Sequence, residues 1–145
     1  MGRSPAQGCP RREAGQRVTL VLDSGGVSAL VRQRARLAEL RHIGAWPPQV
    51  PAVVLAESLT GDHRHDFHAN QLLRMCQVHD VDESLAREAA ALRTATNRAG
   101  SISAVDAIVV AFAARQSAPV VLTTDPDDLG ALAAQALQHI TITGT

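Results

Sequence analysis

From Val18 to Leu22 the chain is almost continuously apolar, and then Asp23, Ser24, Gly25 and Gly26 follow without transition. A short run that is apolar on both faces predicts a strand buried on both sides, the kind found in parallel sheets. From Val27 the period becomes helical. Leu30, Leu37 and Leu40 are apolar and Arg32, Arg34, Arg36 and Arg41 are polar, which predicts one helix reaching Gly44, with Pro47, Pro48 and Pro51 forbidding its resumption. Residues 50–53 read as a brief strand, or as the approach to a helix holding Leu55, Glu57, Ser58 and Leu59. GDHRHD (61–66) reads as a loop or helix start, Phe67 to Met75 as a helix, and the alternating CQVHDVD (76–82) as an edge strand. Leu85, Ala89 and Leu92 give a helix from Ser84 to Asn97, stopped by Gly100. Val105, Ile108, Val109, Phe112 and Ala113 form a stripe at i, i+3, i+4, i+7 and i+8, so residues 103–115 are helical. PVVLTTD (119–125) is a second buried strand ending in an acid, followed by a helix near 126–137 and a last strand, HITIT (139–143). Alternating strands and helices predict an α/β fold with a mostly parallel central sheet.

Composition narrows the chemistry. With 145 residues, 46% of them hydrophobic, and a formal net charge of zero, the chain is an ordinary globular domain large enough for a real core. Trp46, Phe67 and Phe112 are its only aromatic residues, so the core is built from Leu, Val, Ile and Ala, and stacking platforms for single-stranded nucleic acid are nearly absent. All 14 basic residues are Arg. Without lysine there is no phosphate-binding loop of the GxxxxGK type, no Schiff base and no lysine-dependent phosphotransfer site. Cys9 and Cys76, far apart, make neither a disulfide framework nor a zinc site, which fits a reducing cytoplasm. No apolar run reaches membrane-spanning length. Residues 1–17, basic and containing Gly and Pro but lacking the apolar stretch of a signal peptide, read as a disordered N-terminal extension ahead of a domain over 18–145.

Four carboxylates occupy special places. Asp23 and Asp125 each end a buried strand, and in an open parallel sheet the carboxyl ends of the strands are where ligands bind. Asp106 falls three residues after Ser103, on the first turn of the 103–115 helix, where an acid also completes a capping arrangement and suits the helix dipole. Asp125, Pro126 and Asp128 equally fit the N-cap, N1 and N3 positions of the next helix. Glu57 lies among Val53, Val54, Leu55 and Ala56, which predicts a partly buried glutamate needing a partner, either an arginine or a cation. If the four converge, their mutual repulsion calls for a cation. Mg²⁺ or Mn²⁺ chooses carboxylate oxygens, orients and deprotonates a water, and stabilises charge on a phosphoryl oxygen. An acidic metal cluster therefore points to phosphodiester hydrolysis.

In order and spacing, LVLDSG with Asp23, VVLAES with Glu57, SAVDAIVVAFA with Asp106 and VVLTTDPDDL with Asp125 resemble the PIN domain, and within it the small VapC-type toxins of bacterial toxin–antitoxin pairs. The likeness runs from about Val18 to Ile142. It implies a three-layer α/β/α sandwich and an Mg²⁺-dependent endoribonuclease, with Mn²⁺ as a substitute, working as a homodimer and neutralised by a small antitoxin. By position it implies Asp23, Asp106 and Asp125 as metal ligands, direct or through water. Glu57 completes the catalytic quartet and helps orient the attacking water. Ser24 bonds within the site or caps the following helix. The sequence departs from the pattern at Gly25 and Gly26, where many relatives carry larger residues, which predicts a flexible or closely approached loop. Asp127 and Asp128 compete with Asp125 for the fourth acid.

Other signals are weaker. His65 and His68 sit at helical spacing beside His63, but zinc would need further ligands that the sequence does not show, so this stretch reads as a solvated loop facing RNA or antitoxin. Arg32, Arg34, Arg36 and Arg41 make either a phosphate-contacting face or an ordinary solvated one. A haloacid-dehalogenase-type phosphatase needs a second Asp two residues after the first, where this chain has Gly25, and both it and a receiver domain need the missing lysine. The remaining alternative is a catalytically inactive PIN scaffold kept as a binding module.

Overall fold

The computed structural model describes residues 17–145. All but the last residue of the expected N-terminal extension, and Cys9 with it, lie outside that range. The elements follow in the order β1 (Thr19–Leu22), α1 (Ser24–Arg32), α2 (Ala35–His42), β2 (Gln49–Pro51), α3 (Val53–Ser58), α4 (Phe67–Met75), β3 (Gln77–His79), α5 (Glu83–Ala95), α6 (Ala104–Ala114), β4 (Pro119–Thr123), α7 (Pro126–Ala133) and β5 (Thr141–Gly144).

The strands form one parallel sheet in the order β3-β2-β1-β4-β5. The chain steps outward from β1 to β2 and β3, then crosses back to β4 and β5. Strand order thus reverses between β1 and β4, the place where an open parallel sheet leaves a crevice at its carboxyl edge. Val21 aligns with Val121 and Leu22 with Leu122, so the two strands end level and Asp23 and Thr123 emerge side by side. Helices α1, α3 and α4 pack together on one face and α5, α6 and α7 on the other, giving the expected α/β/α sandwich.

Hydrophobic burial orders these layers. Leu20, Val21, Leu22, Val121 and Leu122 are buried in the central strands, as their continuous apolar pattern requires. In α6, burial spreads beyond the predicted stripe to Ala107, Val110 and Ala111, because this helix is covered by the sheet on one side and by α5 and α7 on the others. The CQVHDVD segment does supply the edge strand β3, of which Val78 is 43% exposed.

The helix expected from Val27 to Gly44 is in fact two. It starts at Ser24 and breaks after Arg32, where Gln33 leaves helical geometry at φ −118° and ψ 63°. Neither Gly nor Pro marks the break, and Leu30, Leu37 and Leu40 keep a helical period across it. The second piece, α2, buries no residue fully and lies over the surface through Leu37 and Leu40, with Arg41 stacked 4.3 Å from the Trp46 ring centre. No helix among the described residues is long and apolar enough to cross a membrane.

Candidate acidic nuclease site

Asp23 sits at the end of β1, only 5% exposed, and is the N-cap of α1. Oδ1 accepts the Gly26 amide at 2.7 Å, and Oδ2 accepts the hydroxyl of Thr123 at the end of β4. Capping of α1 therefore falls to Asp23 itself rather than to Ser24, which is already the first helical residue. Ser24 instead donates its hydroxyl to Glu57 Oε2 at 3.0 Å, joining the start of α1 to the last turn of α3.

The glycines explain how α1 reaches this position. A Cβ on Gly26 would lie 2.3 Å from the carbonyl oxygen of Leu122, and one on Gly25 would lie 2.3 Å from Thr124 Oγ1. The departure at these two positions is a close approach: α1 starts directly against the end of β4, and side chains there would push the two acid-bearing segments apart.

Glu57 differs from its expectation. It is exposed, because α3 is only six residues long and ends at Ser58, with Val54 its one fully buried residue. Its polar partner is Ser24, and among the described residues no arginine pairs with it. Asp106 is half-buried on the first turn of α6 with its amide held by Ser103 Oγ at 3.0 Å. Asp125 lies exposed before α7 and makes no side-chain capping bond; its own amide donates to Thr123 Oγ1 at 2.9 Å. Asp128, the rival fourth acid, is taken up in an ion pair with Arg98 at 2.8 Å.

Electrostatics links the four. Burial raises the Asp23 carboxyl above its ordinary 3.8, the bonds from Thr123 and Gly26 pull it back, and the charges of Glu57 and Asp125 raise it again. Burial likewise raises Asp106, opposed by the Ser103 hydroxyl and reinforced by the charges of Asp23, Glu57 and Asp125. Among the described residues, the arginine ion pairs fall on Glu83, Glu88 and Asp128, and none on this quartet. Among the described residues the four acids therefore act on one another's charge with no arginine paired to any of them.

Whether they suit a metal is a matter of donor chemistry. No three His, Cys, Asp or Glu side chains among the described residues close tightly enough to hold an ion by themselves. Mg²⁺ does not require that, since it binds through one or two carboxylates and keeps several waters. A raised, uncompensated carboxylate pair with hard oxygen donors fits such an ion and does not fit a soft one.

Sequence reasoning missed Thr123, the fully buried hydroxyl that ties Asp23 to the Asp125 backbone. Its signal was present: the apolar run of β4 ends in two threonines before the acid. It also missed Asp66, 4% exposed, whose carboxylate accepts from the Thr60 and Gly61 amides and the Thr60 hydroxyl. These bonds lower the Asp66 carboxyl from its ordinary value. The histidine stretch builds no zinc site among the described residues.

Comparison with known proteins gives the same outline. The sequence model of one family, the PIN domain, matches residues 20–135. No curated protein matches the chain. Solved structures do match in fold: DNA-bound VapBC from Salmonella typhimurium at 15% identity, with a TM-score of 0.65 and coverage of 88% of this chain and 98% of that one. VapBC2 from Rickettsia felis, bound to a promoter DNA fragment, matches at 12% identity with a TM-score of 0.65, covering 88% and 98%. FitAcB from Neisseria gonorrhoeae matches at 19% identity with a TM-score of 0.61, covering 86% and 96%.

Proposed function

This chain belongs to the PIN-domain family, and from that premise we propose that it is a Mg²⁺-dependent endoribonuclease, the toxin of a cytoplasmic toxin–antitoxin pair. The observation that carries the reading is that Asp23, Glu57, Asp106 and Asp125 lie near enough for their charges to act on one another, with no arginine among the described residues paired to them.

In this reading Asp23, Asp106 and Asp125 hold the ion, directly or through its waters. When bound, the ion lowers the pKa of a water and stabilises charge on the phosphoryl oxygen. The chain's own residues do the rest. Thr123 and the Gly26 amide hold the Asp23 carboxylate in one orientation, so no rearrangement accompanies binding. Ser24 occupies Glu57 Oε2, which leaves Oε1 to accept a hydrogen bond from a water and orient it for attack. Glu57, exposed at the mouth of the crevice, is placed to meet substrate entering from solvent.

The partner in the proposal is a small antitoxin, as in the VapBC and FitAB structures that share this fold. A groove of about 350 Å³ floored by Leu30, Leu37, Leu72 and Met75 and rimmed by Arg34 and Arg74 suits an amphipathic segment with acidic edges. The homodimer that the family resemblance implies belongs to the same reading.

The test is RNA cleavage by the purified chain with Mg²⁺ or Mn²⁺, against a chelator control and the Asp106→Asn variant. Metal-dependent cleavage lost in the variant supports the reading. Intact RNA at every metal concentration, with binding retained, would leave a PIN scaffold that only binds.

A further inference from the structure

Beside the acids lies a groove of about 550 Å³ that the catalytic reading does not use in full. Its lining takes in Glu57 of the acid site with Ser24, Gly25 and Thr124, and also Arg32, His65 and the internally bonded Asp66. A phosphodiester strand with one phosphate at a metal beside Glu57 needs a neighbouring phosphate held without one, and Arg32 is a cation in the same groove.

Among the described residues several arginines are engaged elsewhere, and Arg32, like Arg64 and Arg74, is not. Arg34 bonds to Gln71 and His68, Arg36 to Gln33, Arg93 to the Ile102 carbonyl, and Arg87, Arg98 and Arg115 pair with acids. Among the described residues Arg32 has no such partner, and it is the arginine that lines this groove. It ends α1, the helix whose start carries the acid site, so one rigid element sets the spacing between the two.

The loop after α3 is built to hold its shape. Asp66 gathers the Thr60 and Gly61 amides, and Asp62 Oδ1 accepts the amides of Arg64 and His65 at 2.9 and 3.4 Å. Gly61 takes the turn at φ +87°, a conformation that side chains resist. The buried charge of Asp66 thus orders the loop that presents His65, rather than serving the metal. Ser58 Oγ, a buried hydroxyl oxygen without a partner, lines the same groove.

We propose that Arg32 and His65 form a phosphate-binding subsite of this nuclease, gripping the substrate backbone next to the phosphodiester that is cut. The proposal rests on the nuclease reading for its substrate. It adds two residues that hold the strand and take no part in the chemistry. Arg32 supplies a bidentate fork for a phosphate, and His65, on the loop after α3, supplies a ring N–H to the same groove.

The experiment uses the full chain and a fluorescent single-stranded RNA. Binding is followed by anisotropy in the Asp106→Asn background, and cleavage in the wild-type background. Arg32→Gln and His65→Ala are compared with Arg64→Gln, an exposed arginine outside the groove. Both groove residues are exposed, so unchanged thermal midpoints verify folding. Arg32→Gln is expected to weaken RNA binding about tenfold and to flatten the dependence of log K on log salt by about 0.7, one phosphate contact on a single strand. In cleavage, KM should rise by a similar factor with kcat unchanged, and Arg64→Gln should do neither. Unaltered affinity and KM in Arg32→Gln, with cleavage intact, would overturn the subsite and leave the nuclease standing. RNA binding that depends on Arg32 without any cleavage would do the reverse. Arg32→Gln that loses antitoxin but not RNA would assign this wall to the protein partner and overturn the proposal.

Discussion

Thr123 donates its hydroxyl to Oδ2 of Asp23 across the seam between β4 and β1, one hundred residues apart in sequence. The Thr123 hydroxyl oxygen in turn accepts the amide of Asp125. A single fully buried hydroxyl thereby fixes one acid's side chain and another's backbone, and the level ends of β1 and β4 make this possible.

Thr123→Val keeps the shape and removes both bonds. A buried acceptor and an amide left unmatched cost roughly 1–3 kcal/mol, so urea unfolding at neutral pH should show a clear loss of stability. Thr123→Ser, which retains the hydroxyl, should recover most of it. Equal midpoints for Val and wild type would mean that the bond contributes nothing net.

Two glycines should respond oppositely to alanine. At Gly26 a Cβ meets the Leu122 carbonyl oxygen at 2.3 Å, and neither backbone can yield without separating α1 from β4. Overpacking of this kind costs roughly 1–3 kcal/mol or more, and Gly26→Ala should also disturb the acid site. At Gly130, inside α7, a Cβ meets nothing within 4 Å. Gly130→Ala should raise stability by roughly 0.5–1 kcal/mol, the usual helix-interior difference. Melting curves of the two variants beside wild type decide it.

Much of this was legible in the sequence, and the reasons are physical. The doubly apolar runs of β1 and β4, each stopped by an acid, mark buried strands whose tips must be functional or capped, and both tips arrive at one crevice. The α6 stripe was legible because burial there follows the helical period. The break after Arg32 was not, because a helix that turns without Gly or Pro leaves the period of Leu30, Leu37 and Leu40 intact. The burial of Glu57 was misread for a related reason: apolar neighbours along the chain say nothing about a helix that stops one residue later. Long-range hydrogen bonds such as Thr123 to Asp23 have no local pattern at all.

Apo stability should fall with rising pH on account of the acid site. Asp23 and Asp106 both have carboxyls raised in the folded chain. Their contribution is fully present below the ordinary value of 3.8 and is lost as pH climbs through the raised folded values. Asp66 and Glu88 are lowered and act oppositely, contributing above their ordinary values of 3.8 and 4.5 and losing that as pH falls through their folded values. Removing one acid isolates the first effect. Without metal, Asp106→Asn should be more stable than wild type at pH 7, and the gap should narrow towards pH 4. Mn²⁺ at a hundred times its Kd should stabilise wild type by about 2.7 kcal/mol and the variant far less. A less stable Asp106→Asn, indifferent to Mn²⁺, would make Asp106 a helix-dipole partner and nothing more.

Asp125 and Asp128 should separate cleanly. Asp128 is committed to Arg98 in an ion pair at 2.8 Å, with side chains 23% and 47% exposed. Its loss should cost at most about 1 kcal/mol and leave RNA cleavage unchanged. Asp125 has no such partner among the described residues and acts on both Asp23 and Asp106 through its charge. Asp125→Asn should lower the cleavage rate by roughly 10–100-fold, as loss of a group supporting a metal site does, with the fold unchanged by circular dichroism. Loss of activity in Asp128→Asn instead would reverse the assignment of the fourth acid.

The groove floored by Leu30, Leu37, Leu72 and Met75 lies apart from the quartet, so partner binding and catalysis should be separable by mutation. Leu37 is only partly buried, on the helix that buries nothing fully, and a charge there should be tolerated by the fold. In an interface, the same charge faces an apolar anchor, and central contacts of that type are worth about 2 kcal/mol or more. Leu37→Glu should therefore abolish co-purification with the proposed small antitoxin while RNA cleavage by the isolated chain persists. A partner that still co-purifies with Leu37→Glu, but is lost on mutation of the acid site, would seat it over the β1–β4 crevice instead.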